Sequence, residues 1–211
     1  MDLLKRLSRV VDWRVLGAVV ALLAAPELHA HGVVEGASAF FAGLTHPLTA
    51  LEHVLPLIAL GLLAGQRGLR NGEGLVIAFP VAFACGALVA PAIVSLPDLS
   101  AVNATTALVV GVLVALALAI SKPLLYAVVV VTGAVHGFAN GGAIEHAMPQ
   151  FIAGATLAAT LLFVYAFGVT DYALRRQRPW LPVAVRAIGS WIAAFGILTV
   201  ALAFTTATPL A

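Results

Sequence analysis

The sequence predicts an all-α polytopic membrane protein with six transmembrane helices behind an N-terminal leader. Three observations carry that prediction. Hydrophobic residues make up 62% of the 211-residue chain and charged residues only 9%, where a soluble domain carries about 25% charged residues. Six apolar runs of near-spanning length follow residue 45, separated by short breaks. Every lysine and arginine beyond the leader falls in or beside alternate breaks, the pattern of a chain threaded back and forth through a bilayer.

The leader comes first. A basic start (Lys5, Arg6, Arg9, Arg14) is followed by an apolar run over 15–25 and then by "PELHAHG". That layout predicts a secretory signal peptide over residues 1–30, cut after Ala30. The alternative is a retained leader helix, which would make seven spans. Residues 31–211 then form a single transmembrane helical domain. The segment 33–44, "VVEGASAFFAGL", is too short to span and reads as a re-entrant or interfacial half-helix leading into His46. Pro47 suits the first turn of the helix that follows.

The predicted spans cover 47–66, 75–96, 101–120, 124–146, 151–174 and 183–204. The breaks between them are turn-like: "RGLRNGEG", "LPDLS", "SKP", "MPQ" and "RRQRPWLP". Arg67 and Arg70 follow the first span, Lys122 the third, and Arg175, Arg176, Arg178 and Arg186 follow or flank the fifth. The positive-inside rule makes those loops cytoplasmic. The mature N-terminus and the C-terminus then face outward, which in a bacterial inner membrane is the periplasm.

Several function classes drop out on composition. The single cysteine, Cys85, allows neither an internal disulfide nor a CxxC metal site, and two methionines form no thioether cluster. No basic tract or RNA-binding signature points to nucleic acid. No G-x-x-x-x-G-K-[ST] occurs, so the chain carries no nucleotide engine of its own.

What the chain does carry is a set of ionisable residues within its spans. His46, Glu52 and His53 stand in "HPLTALEH" at the head of the first span. His46 and His53 are seven apart and share a face if the helix is regular, with Glu52 about 100° away from His53. On the fourth span His136 and Asn140 are four apart on one face, beside Gly133, Gly137 and Gly141. That doubled G-x-x-x-G predicts a close helix neighbour, expected to be the first span. His53 lies about 10 Å below the head of its span and His136 about 15 Å below the end of its own, so the two should meet at one depth. His46, Glu52, His53, His136 and Asn140 are therefore the candidate metal ligands. Glu145, His146 and His31 are secondary candidates. Imidazole and carboxylate suit Ni²⁺ and Co²⁺, with Zn²⁺ also fitting.

Each residue has a plainer reading. His46 can be an interfacial helix-start residue, Glu52 and His53 an internally bonded pair, and His136 with Asn140 interhelical glue. Glu145 and His146 can be an ordinary loop end. Asp171, four before Arg175, reads as half of a helix-face salt bridge.

The quoted stretch, with the leader and the "HG" start, resembles the HupE/UreJ family of nickel and cobalt permeases. Their first-span signature is H-P-x-x-G-x-D-H. Here His46, Pro47 and His53 match, Glu52 replaces the aspartate and Ala50 the glycine. Their second motif, H-G-x-A-H-G-x-E, is met by "HGFANGGAIEH": His136, Gly137, Ala139 and Gly141 match. Asn140 replaces the second histidine, Ala143 takes the acidic position, and Glu145 offers a displaced carboxylate. The resemblance implies secondary transport of a transition-metal cation across the bacterial inner membrane, with no prosthetic group and no catalysis. The partners it implies are the metal and the lipid bilayer, with a homo-oligomer left open. Two alternatives stand beside it. One is an intramembrane zinc hydrolase with Glu52 as general base, although no H-E-x-x-H occurs and only Thr45 offers a hydroxyl next to a histidine. The other is a non-transporting metal sensor or assembly protein.

Overall fold

Apolar side chains without β-branched alternation favour helix throughout, and the computed structural model is all-helical. It describes residues 35–72, 74–93, 99–142 and 149–206, and among these there is no strand. The leader over residues 1–30, His31, Glu145 and His146 lie outside the described residues. The helices are α1 (Glu35–Thr49), α2 (Leu51–Arg67), the single turn α3 (Leu69–Gly72), α4 (Leu75–Val89) with a 3₁₀ turn at Ala90–Ala92, α5 (Ser100–Leu116), α6 (Lys122–Gly141), α7 (Pro149–Leu174) and α8 (Trp180–Thr206).

Four helical stretches are long and apolar enough to cross a bilayer: Leu69–Ala92, Lys122–Gly141, Pro149–Leu174 and Trp180–Ala203. Ser38–Thr49 and Leu51–Arg67 make a fifth if counted as one span, bent by 78°. Ser100–Leu116 is a shorter apolar helix. The molecule is thus a polytopic membrane protein, and its outward faces suit lipid: Ile77, Tyr165 and Trp191 are among many large apolar side chains left exposed.

The first span departs from the sequence reading. The helix before it does not stop at residue 44 but runs through His46 and Pro47 to Thr49. The break falls at Ala50, whose backbone is extended at φ −121°, ψ 129°. Pro47 therefore sits in a last turn and not in a first one. Proline tolerates either place, since its missing N–H removes only the bond to the carbonyl of Gly43. Thr49 Oγ1 donates to the carbonyl of His46 at 2.7 Å, satisfying one of the free acceptors at this helix end. At the other end of α2, Gly68 at φ +82° reverses the chain and donates its N–H to the carbonyls of Ala64 and Gly65.

Three helix pairs approach so closely that glycine is required at the crossing. A Cβ on Gly61 of α2 would lie 2.6 Å from the carbonyl oxygen of Phe163 on α7. One on Gly137 of α6 would lie 1.9 Å from that of Phe83 on α4, and one on Gly111 of α5 would lie 2.6 Å from the amide of Ala193 on α8. So the glycine stripe of the fourth span mates with the second span, not with the first as the spacing had led us to expect. The stripe states that a neighbour comes close; it does not name the neighbour. The first half of the broken span is clamped in the same way, Gly43 against Phe151 and Gly154 against Phe40.

Counting α1 and α2 together as the first member, these pairs join first with fifth, second with fourth, and third with sixth. Exchanging the two halves of the chain leaves that scheme unchanged. Between the pairs runs a core of Leu57, Leu60, Leu63, Phe79, Phe83, Phe163 and Phe167, with Phe79 stacked on Phe163 at 4.7 Å. Asp171 bonds Arg175 at 2.8 Å, the i,i+4 pair expected, and also accepts the Leu69 amide at 3.0 Å.

Candidate metal centre

The break at Ala50 decides where three ionisable side chains go. His46 ends one helix, Glu52 and His53 open the next, and the 78° bend turns both ends toward the same neighbours. His46 and His53 do not share the face of one regular helix. They belong to two segments, yet their ring centroids stand 6.0 Å apart. His46 rests against the Phe151 ring at 5.5 Å, a position fixed by the glycine clamp between α1 and α7. Pro56 lacks the N–H that would bond the carbonyl of Glu52, so the first turn of α2 is also short of one internal bond.

His136 arrives from α6. The glycine face of that helix turns to α4, and the face next to it carries Thr132, His136 and Asn140, all buried. His136 and Asn140 are fully enclosed, and His53 is only 6% exposed. The Nδ1 atoms of His53 and His136 lie 3.4 Å apart, with the rings edge to face. Glu52 Oε1 stands 3.8 Å from His53 Nε2. Asn140 Nδ2 donates to the carbonyl of its own helix at His136, 2.7 Å away, which leaves its Oδ1 buried without a partner among the described residues.

One member was not legible in the sequence. Thr106 on α5 places Oγ1 2.8 Å from His136 Nε2 and 2.7 Å from the carbonyl of Asn103. The only signal was the polar opening of that span, "SAVNATT". Asn103 is itself buried, and its Oδ1 likewise has no partner among the described residues.

The bundle therefore gathers His46, Glu52, His53, His136 and Thr106 around one buried spot. Among the described residues, no three His, Cys, Asp or Glu side chains lie close enough to hold an ion together in this conformation. The chemistry offered is that of soft-to-borderline imidazole nitrogens with one carboxylate and two unpartnered amide oxygens, a donor set that suits a divalent cation better than an anion or an apolar ligand.

Fold and buried histidine contact define a helical membrane protein built around a buried polar centre. The chain belongs to the HupE / UreJ protein family, whose model matches residues 19–199. It is 30% identical over 155 residues to the protein HupE of Rhizobium leguminosarum bv. viciae, a match covering 72% of this chain and 81% of that one. No solved structure matches it.

Proposed function

We propose that this protein is a permease that moves a divalent transition-metal cation, nickel or cobalt, across the bacterial inner membrane. In this reading α1 with α2, α4, α5, α6, α7 and α8 make six passes, with the Arg67 end of the first pass cytoplasmic and its Glu35 end periplasmic. The observation that carries the reading is the buried contact of His53 with His136. Two enclosed imidazoles, one flanked by Glu52 and a third ring, are costly to keep inside a membrane bundle unless a cation or its pathway uses them. His46 would capture the ion at the mouth, His53 and Glu52 would bind it, and closure of the bundle would complete the ligand set. Asn140 and Asn103 each hold an amide oxygen that a passing cation would satisfy. The pairing of helices, unchanged when the halves are exchanged, supports an inverted-repeat transporter that rocks between two states.

The hydrolase alternative gains nothing from the Thr106–His136 contact. A nucleophilic hydroxyl must give its hydrogen to the base, whereas the Thr106 hydroxyl lies against the carbonyl of Asn103, which can only accept. Transport is tested by elemental analysis of cells expressing the protein, offered nickel, cobalt, zinc, manganese and iron separately. Selective gain of nickel or cobalt, lost in His53→Ala, is the expected result. Unchanged metal content despite membrane expression would overturn the reading.

A further inference from the structure

The contacts around His136 form a chain whose hydrogens can be placed one by one. Asn103 offers a carbonyl oxygen, which only accepts. Thr106 Oγ1 lies 2.7 Å from it, and two oxygens that close need a hydrogen between them, so the hydroxyl donates there. This is also the usual bond of a threonine in a helix, back to the carbonyl three or four residues earlier. Thr106 has no second hydrogen, so its 2.8 Å contact with His136 Nε2 requires the hydrogen to sit on that nitrogen. A neutral imidazole has one N–H and one lone pair. His136 Nδ1 is then the lone pair, and the 3.4 Å contact with His53 makes His53 Nδ1 the donor. The last lone pair falls on His53 Nε2, which has no hydrogen bond among the described residues and stands 3.8 Å from Glu52.

We propose that Thr106 is a positioning residue that, through His136, holds His53 in the tautomer whose Nε2 faces the cation, so that His136 supports the metal site without ligating it. The inference rests on the permease reading and assigns roles within that site. Both nitrogens of His136 are occupied, one by Thr106 and one by His53. His53 alone presents a free nitrogen beside a carboxylate. Replacing Thr106 by valine keeps the shape but removes the acceptor. An N–H left unpaired in a fully buried position is avoided, so the His136 hydrogen moves to Nδ1. His53 must then accept there, and its own hydrogen moves to Nε2, where it blocks the metal.

The test uses the full-length protein in lipid nanodiscs with ¹⁵N-labelled histidine. Nitrogen shifts of the metal-free protein report which ring nitrogen carries hydrogen, and cobalt titration followed by visible absorption reports binding. Expected are hydrogen on His136 Nε2 and His53 Nδ1 in the wild type and in Thr106→Ser, and the reverse in Thr106→Val. Cobalt binding in Thr106→Val should weaken by at least about tenfold, the scale of a lost outer-shell partner. His136→Gln, whose amide can accept from His53 and donate to Thr106, should keep the hydrogen on His53 Nδ1. Hydrogen on His136 Nδ1 in the wild type, unchanged tautomers in Thr106→Val, or hydrogen on His53 Nε2 in His136→Gln would each overturn the proposal. The nitrogen shifts need no metal, so a protein with the expected tautomers that moves no metal would sink the permease reading alone.

Discussion

His53 and His136 are separated by 83 residues in the chain and by 3.4 Å between their Nδ1 atoms. They come from the head of one helix and the tail of another, and both rings are buried. Their neighbours differ. His53 has Glu52 and the His46 ring beside it, whereas His136 has Thr106 and its own helix.

His53, beside Glu52 and touching His136, and His46, which stands further off, should have different kinetic signatures. In proteoliposomes, His53→Ala should lower the initial rate of cobalt uptake more than tenfold at every concentration. His46→Ala should raise the KM severalfold and leave the maximal rate near wild type, since His46 stands aside at 6.0 Å and serves capture. Equal loss of maximal rate in both variants would contradict the division of labour.

Glu52 lies in the first turn of α2 and is the one carboxylate near the pair among the described residues. Glu52→Gln keeps shape and hydrogen bonding but removes the charge that offsets a divalent ion, and uptake should fall about tenfold or more. Glu52→Asp keeps the charge and should retain a substantial part of the rate. Comparing the two initial rates decides whether charge or reach matters.

The glycine crossings predict a contrast in stability. Gly137→Ala drives a methyl group to 1.9 Å from a backbone carbonyl of α4, so the helices must part, at a cost of about 1–3 kcal/mol. Gly168 on α7 has nothing within 4 Å of where its Cβ would go. Gly168→Ala should therefore raise stability by about 0.5–1 kcal/mol through helix propensity. Thermal unfolding of the two variants in one detergent makes the comparison.

The Asp171–Arg175 pair makes a prediction about pH. The hydrogen bond to Asp171, and then its charge, hold the Arg175 pKa above its ordinary value. A raised base contributes its stability below the unfolded value and loses it only as pH climbs through the folded one. Arg175→Gln should therefore have the same small effect on the melting temperature at about pH 6 as at about pH 9. A difference between the two would mean that another group titrates against it.

The apolar runs were readable because lipid demands about 20 apolar residues per pass and leaves little freedom in spacing. The runs over 75–96 and 151–174 correspond to Leu75–Ala92 and Pro149–Leu174. The histidines were readable because an ionisable group in such a run has few plain reasons to be there. The break in the first span was not, because Pro47 fits a first or a last helical turn equally well. Thr106 was not, because a hydroxyl inside a span ordinarily bonds its own backbone, as Thr105 and Thr160 do to the carbonyls of Ala101 and Thr156. Only the approach of His136 from another helix sets it apart.

The bend at Ala50 has a mechanical side. Both segments lie along the same helix: α1 crosses it at Phe151 and Gly154, α2 at Phe163, Phe167 and Thr170. That helix, α7, runs unbroken for 26 residues. A fracture lashed to one continuous helix on both sides of the gap is splinted. His46, Glu52 and His53 are thus mounted on one rigid carriage with α7, while His136 and Thr106 ride on other helices. Motion between the two mounts would open and close the His53–His136 contact without disturbing the spacing of His46 and His53.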